Sequence, residues 1–151
     1  MSGLDPEAII EILELEPLRD EGGMFRQVWA TEHGTAIWFL LRPGDFSALH
    51  RLDRPEIWHH YAGAPVDLVL LHPDGSSESL VLGPDLADGA LPMRIVDAEI
   101  WMGADTTGDW SLLGTTMAPP FDLAGFVLGE RAPLIEAYPA RRADIIRLTR
   151  E

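Results

Sequence analysis

The sequence contains no cysteine, so no disulfide can staple it and no thiol can act as nucleophile or metal ligand. The absence fits a reducing, cytoplasmic compartment. Basic residues are scarce, eleven against twenty-five acidic, for a formal net charge of −14. Binding to nucleic acid or to an anionic membrane needs a concentrated cationic face, so neither is an expected partner. A local arginine can still hold an anionic small molecule against that overall field, whose main effect is to keep the chain soluble. No stretch approaches the roughly 18 apolar residues of a spanning helix. The segment Met1-Ser2-Gly3-Leu4-Asp5-Pro6-Glu7 lacks the basic-then-apolar order of a signal peptide. Repeats, low-complexity tracts and long linkers are also missing. No phosphate-binding G-x-x-x-x-G-K-[ST] motif is present, and no serine sits in a nucleophile elbow.

What remains is enough for one domain with a real core, expected over residues 1–151. A chain of this size buries roughly 68–70% of its extended surface on folding. Asp5 can cap a helix that has Pro6 in its first turn, and Ala8, Ile9, Ile12, Leu13 and Leu15 recur near a 3.6 period. A short amphipathic helix is therefore expected over residues 6–15. After Pro17 and the turn Glu21-Gly22-Gly23, strands are expected at residues 24–31, 35–41, 46–52, 56–61, 66–72, 79–82, 93–96, 99–103 and 110–117. The fourteen glycines and twelve prolines fall mainly between these short runs. That rhythm belongs to a β-sandwich or barrel and not to βαβ units. Residues 133–138 and 142–148 are short helical candidates.

Chemistry-bearing side chains concentrate in the middle of the chain. Five residues separate Gly44 from His50, Glu56 follows six residues after His50, and Gly63 seven after Glu56. Two turn glycines thus bracket two strands, each offering a group that can bind a proton or a metal. Strict alternation puts Glu56, Trp58 and His60 on one face and Ile57, His59 and Tyr61 on the other. A bulge would change that assignment and bring in His59.

This spacing resembles the first motif of the cupin superfamily: Gly, five residues, His-X-His, three or four residues, Glu, six residues, Gly. Here it reads Gly44, His50, Arg51, Leu52, Glu56, Gly63, with Leu52 in place of the second histidine. The wider text resembles an uncharacterised branch, the DUF985-like family, distantly similar to sugar-nucleotide 3,5-epimerase cupins. Its flavour appears in Glu21-Gly22-Gly23-Met24-Phe25-Arg26, Phe46-Ser47-Ala48-Leu49-His50-Arg51, and Glu56-Ile57-Trp58-His59-His60-Tyr61-Ala62-Gly63. It continues in Leu71-His72-Pro73-Asp74-Gly75-Ser76 and Ala118-Pro119-Pro120-Phe121-Asp122. The resemblance implies an all-β double-stranded β-helix, a jelly-roll barrel, with short helices at both ends. It also implies a homodimer, for which Met24 to Ala30 would suit strand pairing between copies. The second cupin motif, Pro-X-Gly, two residues, His, is degraded to Asp97-Ala98-Glu99-Ile100-Trp101-Met102.

Three functional readings follow. The first is a barrel that binds a small polar ligand, sugar-like or nucleotide-sugar-like, through Arg51, Trp58, His60, Trp101, Met102 and Phe39. Trp38 and Trp110 are further candidates for its aromatic wall. The second is a metal-independent epimerase or isomerase. His50 would be its base, Glu56 would orient that base, Tyr61 would be the acid, and Arg26 or Arg51 would neutralise an enolate or phosphate. The third is a metal-dependent enzyme holding Zn, Ni, Fe or Mn through His50, Glu56 and His60, although two or three ligands make a thin set.

Overall fold

The structure, a computed structural model, describes residues 3–150. Helix α1 (Pro6–Leu13) begins as its sequence requires. The Asp5 carboxylate accepts the Ala8 amide at 2.8 Å, and Pro6 stands in the first turn. The helix stops at Leu13 and not at residue 15, because Glu14 adopts a left-handed conformation with φ of 54°. That break lets Leu15 pack beside Ile9 and Leu40.

Eleven strands follow: β1 (Glu16–Pro17), β2 (Met24–Thr31), β3 (Gly34–Leu41), β4 (Ser47–Arg51), β5 (Glu56–Gly63), β6 (Val66–Leu71), β7 (Ser77–Leu82), β8 (Met93–Val96), β9 (Trp101–Thr106), β10 (Ser111–Met117) and β11 (Val127–Leu128). They form a six-stranded sheet in the order β1-β2-β3-β10-β5-β8 and a five-stranded sheet in the order β11-β4-β9-β6-β7. Every ladder between these strands is antiparallel. Helices α2 (Arg131–Ala137) and α3 (Arg142–Arg147) end the chain. Antiparallel strands thus dominate, with short helices at both ends, an arrangement consistent with a cupin-like jelly roll. Among the described residues no helix is long and apolar enough to cross a membrane.

The core forms where the inward positions of both sheets meet. Phe39, Trp58 and Leu113 from the first sheet pack against Leu68, Leu70 and Met102 from the second. Each such burial contributes roughly 1.5–3 kcal/mol. A second cluster joins the opposite face of the five-stranded sheet, through Leu49, Val69 and Leu71, to Leu134 of α2 and Ile145 of α3. Helix α1 covers the outer face of the six-stranded sheet, where Leu40, Trp38, Trp110 and Leu112 gather.

The two shortest strands, β1 and β11, are absent from the sequence expectation. Two residues carry no alternation to read, and their extended state comes from pairing with β2 and β4. The expected face of β5 is observed at its start, where Glu56 and Trp58 are buried. The ladder to β10 then slips between Leu112 and Leu113. Tyr61 is the residue left without a partner at that bulge; it is 54% exposed and lies on the outer face, against the position where Gly114 lacks a side chain.

Candidate functional site

At one end of the sandwich the chain brings together two carboxyl groups and an imidazole. Glu21 comes from the loop before β2, His50 from β4, and Glu56 from the first position of β5. The loop is shaped by Gly22 and Gly23, with φ of 104° and 80°. A side chain at Gly22 would run into the Phe46 carbonyl, and one at Gly23 into the Phe39 ring. The loop is also pinned by the Gly23 amide donating to Asp45 at 2.8 Å. The Glu21 carbonyl accepts the Ala48 amide and an Arg150 guanidinium N–H, both at 2.8 Å. Glu21 is therefore held in place by its backbone, and its carboxylate accepts the Ser47 hydroxyl at 2.7 Å.

His50 is 2% exposed. Its Nδ1 lies 2.7 Å from the Ala48 carbonyl oxygen, which can only accept, so Nδ1 carries a proton. That leaves Nε2 facing Glu21 Oε1 at 3.7 Å. The Phe126 ring stacks on the imidazole with centroids 5.4 Å apart. Glu56 is 8% exposed, and its pKa is pushed up from 4.5 to about 7. Burial is the main cause. The nearby His50 partly counters it, the negative charge of Glu21 adds to it, and hydrogen bonds from Thr115 and Trp58 counter it again.

Above Glu56 lies a cavity of about 630 Å³, within the range of roughly 300–1,000 Å³ common for small-molecule sites. The six-stranded sheet supplies one wall through Phe25, Thr35, Ile37, Glu56, Thr115 and Met117. The segment from Glu14 to Glu21 supplies a second, and Phe121, Leu123 and Phe126 of the crossing segment after β10 a third.

The expected site residues divide. Glu56 and Arg26 line the cavity, with Arg26 ion-paired to Glu14 at 2.9 Å. His50 sits beside it, beneath Phe126. Tyr61 faces away from it on the outer surface, so no tyrosine hydroxyl stands across from His50 or Glu56. Phe39, Trp58 and Met102 are core residues; the Trp58 indole N–H donates to the Met102 sulfur at 3.3 Å. His60 is bonded to the Ala64 carbonyl oxygen at 2.9 Å and does not line the cavity. His59, on the outer face, bonds Thr116 at 2.8 Å. Arg51 lies over the Trp101 ring at 4.8 Å, in the region packed by the C-terminal helices. Trp38 and Trp110 pack near α1. The aromatic wall is thus made by Phe25, Phe121 and Phe126, none of which the spacing singles out. Glu21, which reads in sequence only as a turn, was the other missing member. Its signal was the Gly-Gly pair that follows it.

Antiparallel sheets facing across a core, with an apolar-walled cavity that holds a few carboxyl groups at one end, are consistent with a cupin-like protein. The chain belongs to the family described as Cupin superfamily (DUF985), which matches residues 7–129. It is similar to a crystallised protein from Shewanella oneidensis, at 31% identity and a TM-score of 0.92, covering 97% of this chain and 98% of that one. It is also similar to a hypothetical protein from Leishmania major, at 26% identity and a TM-score of 0.90, covering 98% and 100%. A variant of Bacillus subtilis oxalate decarboxylase shares the fold alone, at 11% identity and a TM-score of 0.61, covering 90% of this chain and 38% of that one. No curated protein matches the sequence.

Metal-binding cupins commonly use three imidazoles and a carboxylate. Here Leu52 and Met102 stand at the second and third imidazole positions, and both are buried in the core. Glu99, at the position of the motif's glycine, retains a positive φ of 70°. Among the described residues no group of three or more His, Cys, Asp or Glu side chains converges as a metal would require. The residues present do not assemble the His50, Glu56, His60 set, because His60 is held by the Ala64 carbonyl oxygen and does not line the cavity.

Proposed function

We propose that this chain binds a small polar molecule in the cavity above Glu56, at the mouth of a cupin jelly-roll barrel. The supporting observation is a nine-tenths-buried carboxyl group on the wall of an open, ligand-sized cavity. Burying a carboxyl costs stability unless something compensates, and a ligand that bonds to it would offset that cost. Aromatic and aliphatic walls would hold the ligand's body, while Glu56, Glu21 and Thr115 would orient its polar groups. A screen of small polar metabolites, sugars included, by thermal shift and ligand-observed NMR tests this. Binders should stabilise the wild type and lose affinity by about tenfold or more in Glu56→Gln. Binders that are indifferent to Glu56→Gln, or that map to another surface, would contradict it.

A second reading is favoured by the burial of Glu56 beside His50 and Glu21. Burial pushes the Glu56 pKa up to about 7, and a carboxyl in that range is suited to the proton transfer of an isomerase- or epimerase-like reaction. The acid–base role then fits Glu56 better than His50, because Phe126 covers the imidazole. Its test is solvent-deuterium incorporation into a bound carbonyl compound, abolished by Glu56→Gln. Binding without any exchange would leave a binding protein.

A further inference from the structure

The cavity lining carries an uneven charge. Five carboxyl groups, Glu14, Glu16, Asp20, Glu21 and Glu56, meet two guanidinium groups, Arg19 and Arg26. Arg26 is already satisfied by Glu14 at 2.9 Å, which leaves Arg19 at the exposed rim as the remaining cation of the lining. Glu21 and Glu56 are the least exposed of these carboxyl groups, the other three being exposed. The surrounding protein reinforces the sign, since the whole chain carries −14. A concave site walled by apolar side chains focuses such a field.

We propose that the ligand of this cavity presents a protonated amino group to Glu21 and Glu56. This rests on the reading of the cavity as a binding site and narrows its occupant to an organic ammonium ion. Three features support the class. Both carboxylates are acceptors, matched by the three N–H donors of an ammonium group. Phe25, Phe121 and Phe126 line the cavity and can pack the apolar body that carries the ammonium. An anionic group, such as the diphosphate of a sugar nucleotide, would enter against the field with only Arg19 to receive it.

The ammonium also changes the protonation of its own site. A cation beside Glu56 favours the ionised carboxylate, so binding near pH 7 displaces the Glu56 proton into solution. Proton release on binding is thus a signature of this arrangement that a merely apolar fit does not produce.

The test uses three probes with one ring and different charge: benzylammonium, benzyl alcohol and benzoate. Each is titrated into the whole chain at pH 7 and followed by amide NMR shifts at Glu21, Thr115 and Phe126. Benzylammonium should bind at least about tenfold more tightly than benzoate, with the alcohol between them, and the gap should narrow as salt is raised to about 0.3 M. Calorimetry in buffers of different ionisation enthalpy should show proton release with benzylammonium. Glu56→Gln should abolish that release and weaken the ammonium by a larger factor than it weakens the alcohol. A dispersed amide spectrum of the variant, matching the wild type away from the cavity, shows that it is folded. If benzoate or the alcohol binds as tightly as benzylammonium, the cavity reading stands and the ammonium proposal is overturned. If none of the three moves these resonances, both are overturned.

Discussion

At Glu56 the fold holds a proton that an exposed glutamate would release. The group titrates at about 7 in the folded chain against 4.5 when free. Between those values the native state binds more protons than the unfolded state, so stability falls as pH rises through the window. Below 4.5 the contribution is complete, and above 7 it is lost, a change of roughly 3 kcal/mol. Glu56→Gln removes it. Urea unfolding at pH 4.5 and at pH 8 should therefore show the wild type losing about 3 kcal/mol more than the variant. Parallel losses would mean that Glu56 is an ordinary carboxylate. His50 gives a second prediction at this scale. With Leu52 and Met102 in the core, elemental analysis should find metal far below one equivalent, equally in the wild type and His50→Ala. Stoichiometric metal lost in His50→Ala would contradict this account of the site. Glu56 and His50 were legible in sequence because a spaced motif between turn glycines carries them. Glu21 and Phe126 were not, since neither lies within that spacing and both reach the site by tertiary packing.

At the scale of the element, the loop at Glu21-Gly22-Gly23 sets the geometry. Gly22→Ala would place a methyl group against the Phe46 carbonyl at a positive φ. It should destabilise by about 1–3 kcal/mol, and it should displace Glu21 from Ser47. Chemical denaturation measures the first effect, and the NMR shift of the Ser47 amide reports the second. An unchanged stability would show that the loop is not held as described. The longer strands were readable from their own residues: β2 and β8 match the expected limits, and the other long strands do so to within a few residues. Alternation also predicted that Tyr61 would face away from Glu56, as it does. The tryptophans read equally as core or as ligand wall, because a large aromatic ring satisfies the inner core and the outer helix-covered faces equally well. Periodicity identifies the face that is buried but not which of several buried regions receives it. Thus Trp58 filled the main core, Trp38 and Trp110 went under α1, and Trp101 went toward α2 and α3.

For the whole molecule, the negative charge and the position of β2 matter most. Strand β1 pairs only with Phe25 and Met24, so the outer edge of β2 beyond them has no strand partner among the described residues. Val28 and Trp29 on that strand are 43% and 47% exposed. We propose that a second copy pairs there, giving a homodimer. Sedimentation velocity should find a dimer at micromolar concentration, and Trp29→Glu should shift it to monomer. A wild-type monomer would dismiss the proposal. The central claim, a buried carboxyl kept near neutrality beside a ligand cavity, is tested most directly by following the Glu56 side-chain carboxyl by 13C NMR from pH 4 to 9. The account predicts a midpoint close to 7. A midpoint near 4.5, the value for a free glutamate, would contradict it.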